Sequence, residues 1–179
     1  IDTGLAGMGD DMSPFRAVFN DMYAKDISKK VRTALDTKKR SGQFIGSTAP
    51  FGYRKSAENK NRLVPDEMTA PYVRRVFTLF LGGLSLRATA CALTREGIPT
   101  PSQAAGSRRA ATDWNETMVR RIVSNPTYIG ELTQNRSRKL SYKLQKRKAL
   151  PQQEWIVVPG THAPLVCKED FAAAQRLLA

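Results

Sequence analysis

A helical pattern of about 28 residues near the start of the chain is the feature that most constrains its fold. Ser13 is a candidate N-cap, Pro14 suits the first helical position, and Gly42 supplies a stop. Such a helix is roughly 42 Å long at 1.5 Å per residue, too long to lie wholly within a small globule. We therefore expect a partner helix or another domain along its apolar stripe. The stripe consists of Phe15, Val18, Phe19, Met22, Tyr23, Ile27, Val31, Ala34 and Leu35.

The positive charge of the chain is concentrated in two segments. The 179 residues include 29 Lys and Arg against 16 Asp and Glu, a net charge of +13. Residues 29–62, the first basic region, hold ten Lys and Arg against two Asp and Glu, a net +8. Residues 106–150, the second basic region, hold eleven against three, again +8. The imbalance excludes a neutral metabolic domain as the default and favours a clamp on a phosphate backbone over two merely solvated faces.

Length and composition set the broad class of the chain. A chain of 179 residues predicts one domain or two small ones, and 41% hydrophobic residues predict a real core. No apolar run approaches the ~18–20 residues of a membrane span, and no secretory signal is present, so we expect no membrane partner. Cys91 and Cys167 lack disulfide or zinc spacing and suit a reducing, bacterial cytoplasm. The start at Ile1 instead of Met indicates a piece of a longer protein.

Helix signals continue after the long helix and an extended basic strap over residues 43–64. A second helix opens at residues 69–71 or at Asp66, two alternatives that the pattern leaves open, and ends at Gly82. Ser85 caps a third helix that stops before Gly97. Residues 98–111 are predicted to form a loop.

The C-terminal half predicts a fourth helix and a strand pair. The fourth helix runs over 115–124 with Thr112 or Asp113 as its cap. Strands are predicted at 128–134 and 155–158, joined by a basic loop, and a short helix covers 168–178. The predicted fold is α+β and mainly helical: a long N-terminal helix followed by a winged-helix-like domain with a small antiparallel β-hairpin.

No constellation for catalysis or metal binding is found. His162, the only histidine, has no carboxylate or nucleophile near it in sequence, and we interpret it as a structural residue. Ser13 is explained by helix capping instead of nucleophilic chemistry. No phosphate-binding glycine motif and no metal-ligand spacing occurs. We therefore predict no catalytic residue, no metal site and no cofactor in this segment.

An ordered series of short motifs resembles one family over nearly the whole chain from residue 13. The series begins with FNDMYAKDISKKVR at 19–32 and PFGY at 50–53. It continues with the segment from Asp66 to Gly83, with GIPTP at 97–101, and with NPTYIG at 125–130 after Trp114. It closes with EWI at 154–156 and Phe171. Together these motifs resemble the large serine recombinases of mobile elements.

The resemblance implies a division of the chain and a role in DNA recombination. In that family a serine in an N-terminal catalytic domain attacks DNA, and a long last helix of that domain runs along the dimer interface into DNA. By resemblance, residues 1–42 are the end of a catalytic domain and residues 43–179 are the recombinase DNA-binding domain. The nucleophilic serine and the zinc ribbon of the family then lie outside this sequence. The implied partners are double-stranded DNA at recombination attachment sites and, through the long helix of the full-length protein, a second copy.

We expect the basic end of the long helix and the strap to follow the DNA backbone and minor groove. The 115–124 helix is the candidate for reading the major groove, and a core helix with two solvated arginines is the alternative. The predicted DNA-binding residues are Lys29, Lys30, Arg32, Lys38, Lys39, Arg40, Gln43, Arg54, Lys55, Arg108, Arg109, Arg120, Arg121, Arg136, Arg138, Lys139, Lys143, Lys146, Arg147 and Lys148.

Two other functions fit parts of the pattern. A winged-helix transcriptional regulator unrelated to recombination would need a self-contained dimer interface, whereas the long helix here needs a further domain. An RNA-binding protein would need a stacking platform, and the 8% aromatic residues form no such motif.

Overall fold

The long N-terminal helix is present in the computed structural model, which describes residues 13–139, 141, 144 and 146–179. Helix α1 spans Ser13–Arg40, and its 28 residues confirm the length that the apolar pattern predicts. Its apolar stripe is exposed: every apolar stripe residue from Phe15 to Val31 for which exposure is given is more than half exposed. The described residues therefore leave this face largely uncovered, and the partner along it stays a prediction.

The end of α1 is fixed by glycine. The Gln43 N–H donates to the Lys38 carbonyl at 3.0 Å, which is the long bond of a Schellman motif. Gly42 has a φ of +71°, and a Cβ at this position would lie 2.8 Å from Cγ2 of Thr161. Both the left-handed conformation and the close approach of the 161 segment require glycine here.

The remaining elements alternate short helices with short strands. They are β1 (Tyr53–Lys55), β2 (Leu63–Pro65), α2 (Ala70–Leu81), α3 (Leu86–Arg95), α4 (Pro101–Ala104), α5 (Glu116–Val123), β3 (Leu132–Gln134), β4 (Ser137–Lys139), β5 (Arg147–Ala149), β6 (Ile156–Val158) and α6 (Lys168–Leu178). The strands form antiparallel pairs β1–β2, β3–β6 and β4–β5, so the β4–β5 hairpin is an insertion between β3 and β6. The predicted α+β, mainly helical fold is confirmed.

Helix α2 lies at the centre of the core, against α3, α5 and α6. Val73 and Val76 on its inner face are completely buried, and Leu93 of α3 is also fully buried. The strap joins this core through Phe51, whose ring meets Trp114 edge-on at 5.9 Å. The Tyr128 hydroxyl donates to the Phe51 carbonyl at 3.0 Å, which ties the strap to the start of the strand region.

The start of α2 settles the alternative that the sequence leaves open. The helix begins at Ala70, directly after Thr69. Asp66 belongs to the preceding turn, where its carboxylate accepts from the Thr69 hydroxyl at 2.5 Å and its carbonyl accepts from the Ala70 N–H at 2.8 Å.

Two predictions about the helices are wrong. Residues 98–111 are not all loop, because Pro101–Ala104 forms α4 with a capping box in which the Thr100 hydroxyl and the Gln103 side chain each accept from the other residue's N–H. The cap of α5 is Asn115 instead of Thr112 or Asp113, and its side chain accepts from the Met118 N–H at 3.0 Å.

Two predictions about the strands also need correction. The first strand is shorter than 128–134, because Pro126–Ile129 forms a 3-10 turn that ends at Gly130 with φ +85°. The basic connection after residue 134 is in part the β4–β5 hairpin, not a continuous loop. Its Lys and Arg residues lack the apolar alternation by which a strand is predicted.

Candidate nucleic-acid interface

The two basic regions meet where α1 ends. A groove between α1 and the β4–β5 hairpin is lined on the helix side by Arg32 and Lys39. On the hairpin side it is lined by Arg138, Lys139 and Arg147. Residues about a hundred positions apart in sequence therefore form one basic surface.

The hairpin itself sets like charges opposite one another. In the β4–β5 register Arg138 faces Lys148, and Lys139 faces Arg147. Like charges directly across a strand pair are destabilising, and residues 135–150 contain no Asp or Glu to offset them. The Arg147 guanidinium donates to the Ser137 hydroxyl at 3.0 Å, which holds one of the four side chains on the hairpin. On the helix side the same groove is lined by Asp36, which pairs with Lys39.

Lysines at the end of α1 differ sharply in their surroundings. Lys38 is exposed, whereas the Lys39 side chain is only 14% exposed and its ammonium lies 2.6 Å from the Asp36 carboxylate. Lys30 pairs with Asp26 at 2.9 Å, and this hydrogen bond raises the pKa of the lysine.

The strap holds one of its own cations. The Lys55 ammonium donates to the Ser47 carbonyl at 2.7 Å and lies 5.8 Å from the centroid of the Phe44 ring. Its neighbour Arg54 is exposed and borders a groove between the strap and α4, next to Ser102. Lys55 is therefore bonded within the strap, whereas the adjacent Arg54 is exposed to solvent.

Helix α5 presents its arginines outward. Val119, Ile122 and Val123 are buried against the core, and Arg120 and Arg121 are exposed. This geometry fits both the base-reading helix and the alternative of a core helix with two solvated arginines.

The predicted site residues fall into three groups. Half-buried are Lys39, Gln43 and Lys55. Lys143 lies outside the described residues. Exposed are Lys29, Lys30, Arg32, Lys38, Arg40, Arg54, Arg108, Arg109, Arg120, Arg121, Arg136, Arg138, Lys139, Lys146, Arg147 and Lys148.

Two of these residues make contacts that the sequence does not reveal. The Arg136 guanidinium lies 5.0 Å from the centroid of the Trp155 ring, a cation–π contact. The Gln43 side-chain carbonyl accepts from the Asn61 amide at 3.2 Å.

Two exposed cations of the first basic region, Lys60 and Arg62, are not among the predicted DNA-binding residues. Lys60 and Arg62 lie at the tip and the return of the β1–β2 hairpin, and Arg62 borders a polar groove with Gln43 and Asn61. Both residues contribute to the net charge of the first basic region, but the sequence does not predict the β1–β2 hairpin that exposes them.

His162 is a structural residue, as predicted. Its Nε2 lies 2.7 Å from the Thr127 carbonyl, and its Nδ1 lies 2.7 Å from the Thr161 hydroxyl. Burial lowers the pKa of the imidazole. Both ring nitrogens are engaged within the fold.

The described residues include neither a membrane-spanning helix nor a metal-binding cluster. None of the helices there is long and apolar enough to cross a membrane. Among the same residues no group of three or more His, Cys, Asp or Glu side chains could hold a metal ion.

The family model described as Recombinase matches residues 67–179. The chain belongs to the Recombinase family. Within the curated proteins, this recombinase-family chain is 32% identical over 83 residues to the uncharacterized protein YefB of Bacillus subtilis (strain 168). That stretch is 46% of this chain and 28% of YefB.

Two solved structures share the fold. One, described as "Sequence Requirements of the Listeria innocua prophage attP site", has a TM-score of 0.56 at 14% identity and covers 83% of this chain and 51% of that chain. The other, described as "Crystal Structure of a LSR-DNA Complex", has a TM-score of 0.54 at 14% identity, with 83% and 37% covered. The chain thus spans about half the length, or less, of these relatives. Family match and shared fold confirm the resemblance to the large serine recombinases.

Proposed function

We propose that this recombinase-family chain binds duplex DNA, in a sequence-specific way, within a site-specific serine recombinase that integrates or excises a mobile element. The observation that carries the proposal is the groove at the end of α1, where the like-charged β4–β5 hairpin meets the first basic region. Binding of a polyanion would reduce the repulsion between the cations that face each other across the β4–β5 pair. The fold similarity to a chain of an LSR–DNA complex supports the same partner.

The parts of the chain take separate roles in this proposal. Residues 1–42 end a catalytic domain and residues 43–179 form the DNA-binding domain, of winged-helix type. The strap and the end of α1 follow the backbone and minor groove, and α5 reads base edges through Arg120 or Arg121. The exposed stripe of α1 serves self-association in the full-length protein.

By the family resemblance, cleavage and rejoining are assigned to a serine of the catalytic domain, outside this sequence. The segment then needs no cofactor of its own. The cell compartment that fits this role is the bacterial cytoplasm, with the protein on the nucleoid when DNA is bound.

A binding titration tests the proposal. The purified chain is titrated with duplexes from both ends of the mobile element that carries the gene, with random duplex, and with duplex RNA of equal length. We expect the element duplexes to bind most tightly, with a slope of log K against log salt near −7 if about eight phosphates are neutralised. Equal or tighter binding to RNA contradicts the proposal. A covalent protein–DNA adduct formed by this chain contradicts the assignment of cleavage to another segment.

A further inference from the structure

Two consecutive amide side chains lie at the corner between β3 and the inserted hairpin. Gln134 is the last residue of β3, and Asn135 follows it with a φ of +63°. Among the described residues Asn135 is the one non-glycine with positive φ. Asparagine tolerates this left-handed conformation better than most side chains, so the corner is built for this residue type.

The Gln134 amide contacts the strap as a neighbouring strand would. Its Nε2 donates to the Gln43 carbonyl at 2.9 Å, and its Oε1 accepts from the Ile45 N–H at 3.4 Å. One side chain therefore satisfies a donor and an acceptor of the backbone directly after α1.

The Asn135 amide reaches the helix itself. Its Oδ1 accepts from the Lys39 ammonium at 3.4 Å, and its Nδ2 donates to the Glu154 carbonyl at 2.9 Å. Lys39 also pairs with Asp36 one turn earlier in α1. A chain of polar contacts therefore runs from α1 through Lys39 and Asn135 to the Glu154 carbonyl.

Helix α1 also contacts β6 and lines a groove with the β4–β5 hairpin. Its apolar residues from Phe15 to Val31 are more than half exposed wherever exposure is given, and its described contacts with the domain lie toward its C-terminal end. The direction in which α1 leaves the domain then depends on this end of the helix.

We propose that Gln134 and Asn135, the amide bridge, are positioning residues that set the angle of α1 relative to the β4–β5 hairpin. The bridge holds the two basic regions in one geometry, so that both contact the same duplex without reordering. This role rests on the proposed DNA binding. It assigns a function to two uncharged, half-buried side chains that neither charge nor exposure would identify as part of the interface. Lys39 acts in it as a partner of the bridge, in place of the DNA contact that the sequence predicts.

Distance measurements on the free chain test the geometry without DNA. Spin labels are placed at Lys25→Cys on α1 and Arg87→Cys on α3, in a Cys91→Ser, Cys167→Ser background. Serine at 167 keeps a cap for α6, where the Cys167 sulfur now accepts from the Asp170 N–H. We expect Gln134→Ala to widen the label–label distance distribution at least about twofold, and Gln153→Ala, an exposed amide, to leave it unchanged.

DNA binding of the same variants tests the consequence. Gln134→Ala is expected to weaken binding ~3- to 10-fold, the range of one net hydrogen bond, with an unchanged salt slope because no cation is lost. Lys39→Met is expected to widen the distances as Gln134→Ala does, whereas Lys38→Met flattens the salt slope by about 0.9 and leaves the distances narrow.

The outcomes separate this proposal from the proposed function. Unchanged distances in both Gln134→Ala and Lys39→Met overturn the bridge while DNA binding stands. Wider distances with unchanged affinity overturn its link to DNA. If Gln134→Ala does not fold by circular dichroism, Lys39→Met on the helix side decides the question. If wild type does not bind DNA, the distance data still decide whether the bridge sets the angle.

Discussion

The two basic regions carry the same net charge, yet the fold uses their cations differently. In the first region Lys39 and Lys55 are half-buried and bonded to Asp36 and to the Ser47 carbonyl. In the second region Arg138 and Lys148 are exposed and set opposite each other in the hairpin. Equal charge in the sequence therefore does not mean equal charge available to a ligand.

The difference indicates a division of tasks. Cations that are bonded within the fold shape the surface, and their charge is already partly offset. Cations that repel each other across a hairpin are stabilised when a polyanion arrives. We expect the exposed hairpin cations to contribute strongly to the salt-dependent attraction, and Lys39 and Lys55 to contribute to the geometry of the surface instead.

The largest effect is expected from the hairpin. The double variant Arg138→Gln, Lys148→Gln loses about two phosphate contacts and should flatten the salt slope by about 1.8, at about 0.9 per contact. Near 0.1 M salt this corresponds to roughly sixtyfold weaker binding if the curves converge at 1 M. Salt-dependent titrations with random duplex measure it, and Arg87→Gln, Arg95→Gln on α3 is the matched control. A slope as steep as that of wild type would remove the hairpin from the interface.

A smaller effect distinguishes the roles of the α5 arginines. If Arg120 or Arg121 reads a base edge, its alanine variant should lose about 1–3 kcal/mol on the element duplex and little on random duplex. Paired titrations on both duplexes measure this difference. Equal losses on both would reduce these arginines to phosphate contacts and favour the solvated core helix.

The neighbours Arg54 and Lys55 sharpen the comparison within the first region. Arg54→Gln should flatten the salt slope by about 0.9, because the exposed guanidinium is available to a phosphate. Lys55→Gln should change it by less than about half of that amount, because its ammonium is already bonded to the strap. If the two variants behave alike, bonding within the fold does not limit what a cation gives to DNA.

The smallest expected effect is a pH dependence of folding stability that arises from His162, which packs against Tyr53 of β1. Strand β1 is anchored by Tyr53, whose hydroxyl donates to the Ala163 carbonyl at 2.9 Å and whose ring lies edge-on to His162 at 4.8 Å. Burial lowers the pKa of His162, so the unfolded state binds more protons as the pH falls below about 6.5. Folding stability should therefore be full above that pH and decrease on acidification.

Thermal unfolding between pH 5 and 8 measures this dependence, with His162→Asn as the control that removes the titrating group. The wild-type chain should lose more stability on acidification than the control. Parallel pH profiles for the two proteins would mean that His162 titrates alike in the folded and unfolded states.

Much of the fold follows from local signals in the sequence. Helices α1, α2, α3, α5 and α6 were predicted because apolar spacing and capping residues act within a few positions. Helix α4 was missed because four residues in a Ser/Ala-rich tract carry no apolar period, and only the Thr100–Gln103 capping box defines them. The sequence does not predict the β4–β5 hairpin, because its strands are polar on both faces.

The sequence predicts which segments carry the basic residues of the candidate interface, but not how those residues are arranged in space. Sequence counting located both basic regions, and the resemblance gave the family that the comparisons confirm. Which cations are free to act could not be predicted. Lys38 and Lys39 are adjacent and chemically identical, yet only Lys39 meets Asn135, which lies 96 positions away.

The sequence by itself determined the long helix, the order of the short helices and the net charge of +13, because each depends on residues close in the chain or on a count. Tertiary structure alone decided which apolar faces are covered. The faces of α1 and α2 have the same helical spacing, but Val76 of α2 is completely buried and Met22 of α1 is 63% exposed. Burial and ion pairing depend on what other segments bring to a surface, and that is settled only when distant parts of the chain pack together.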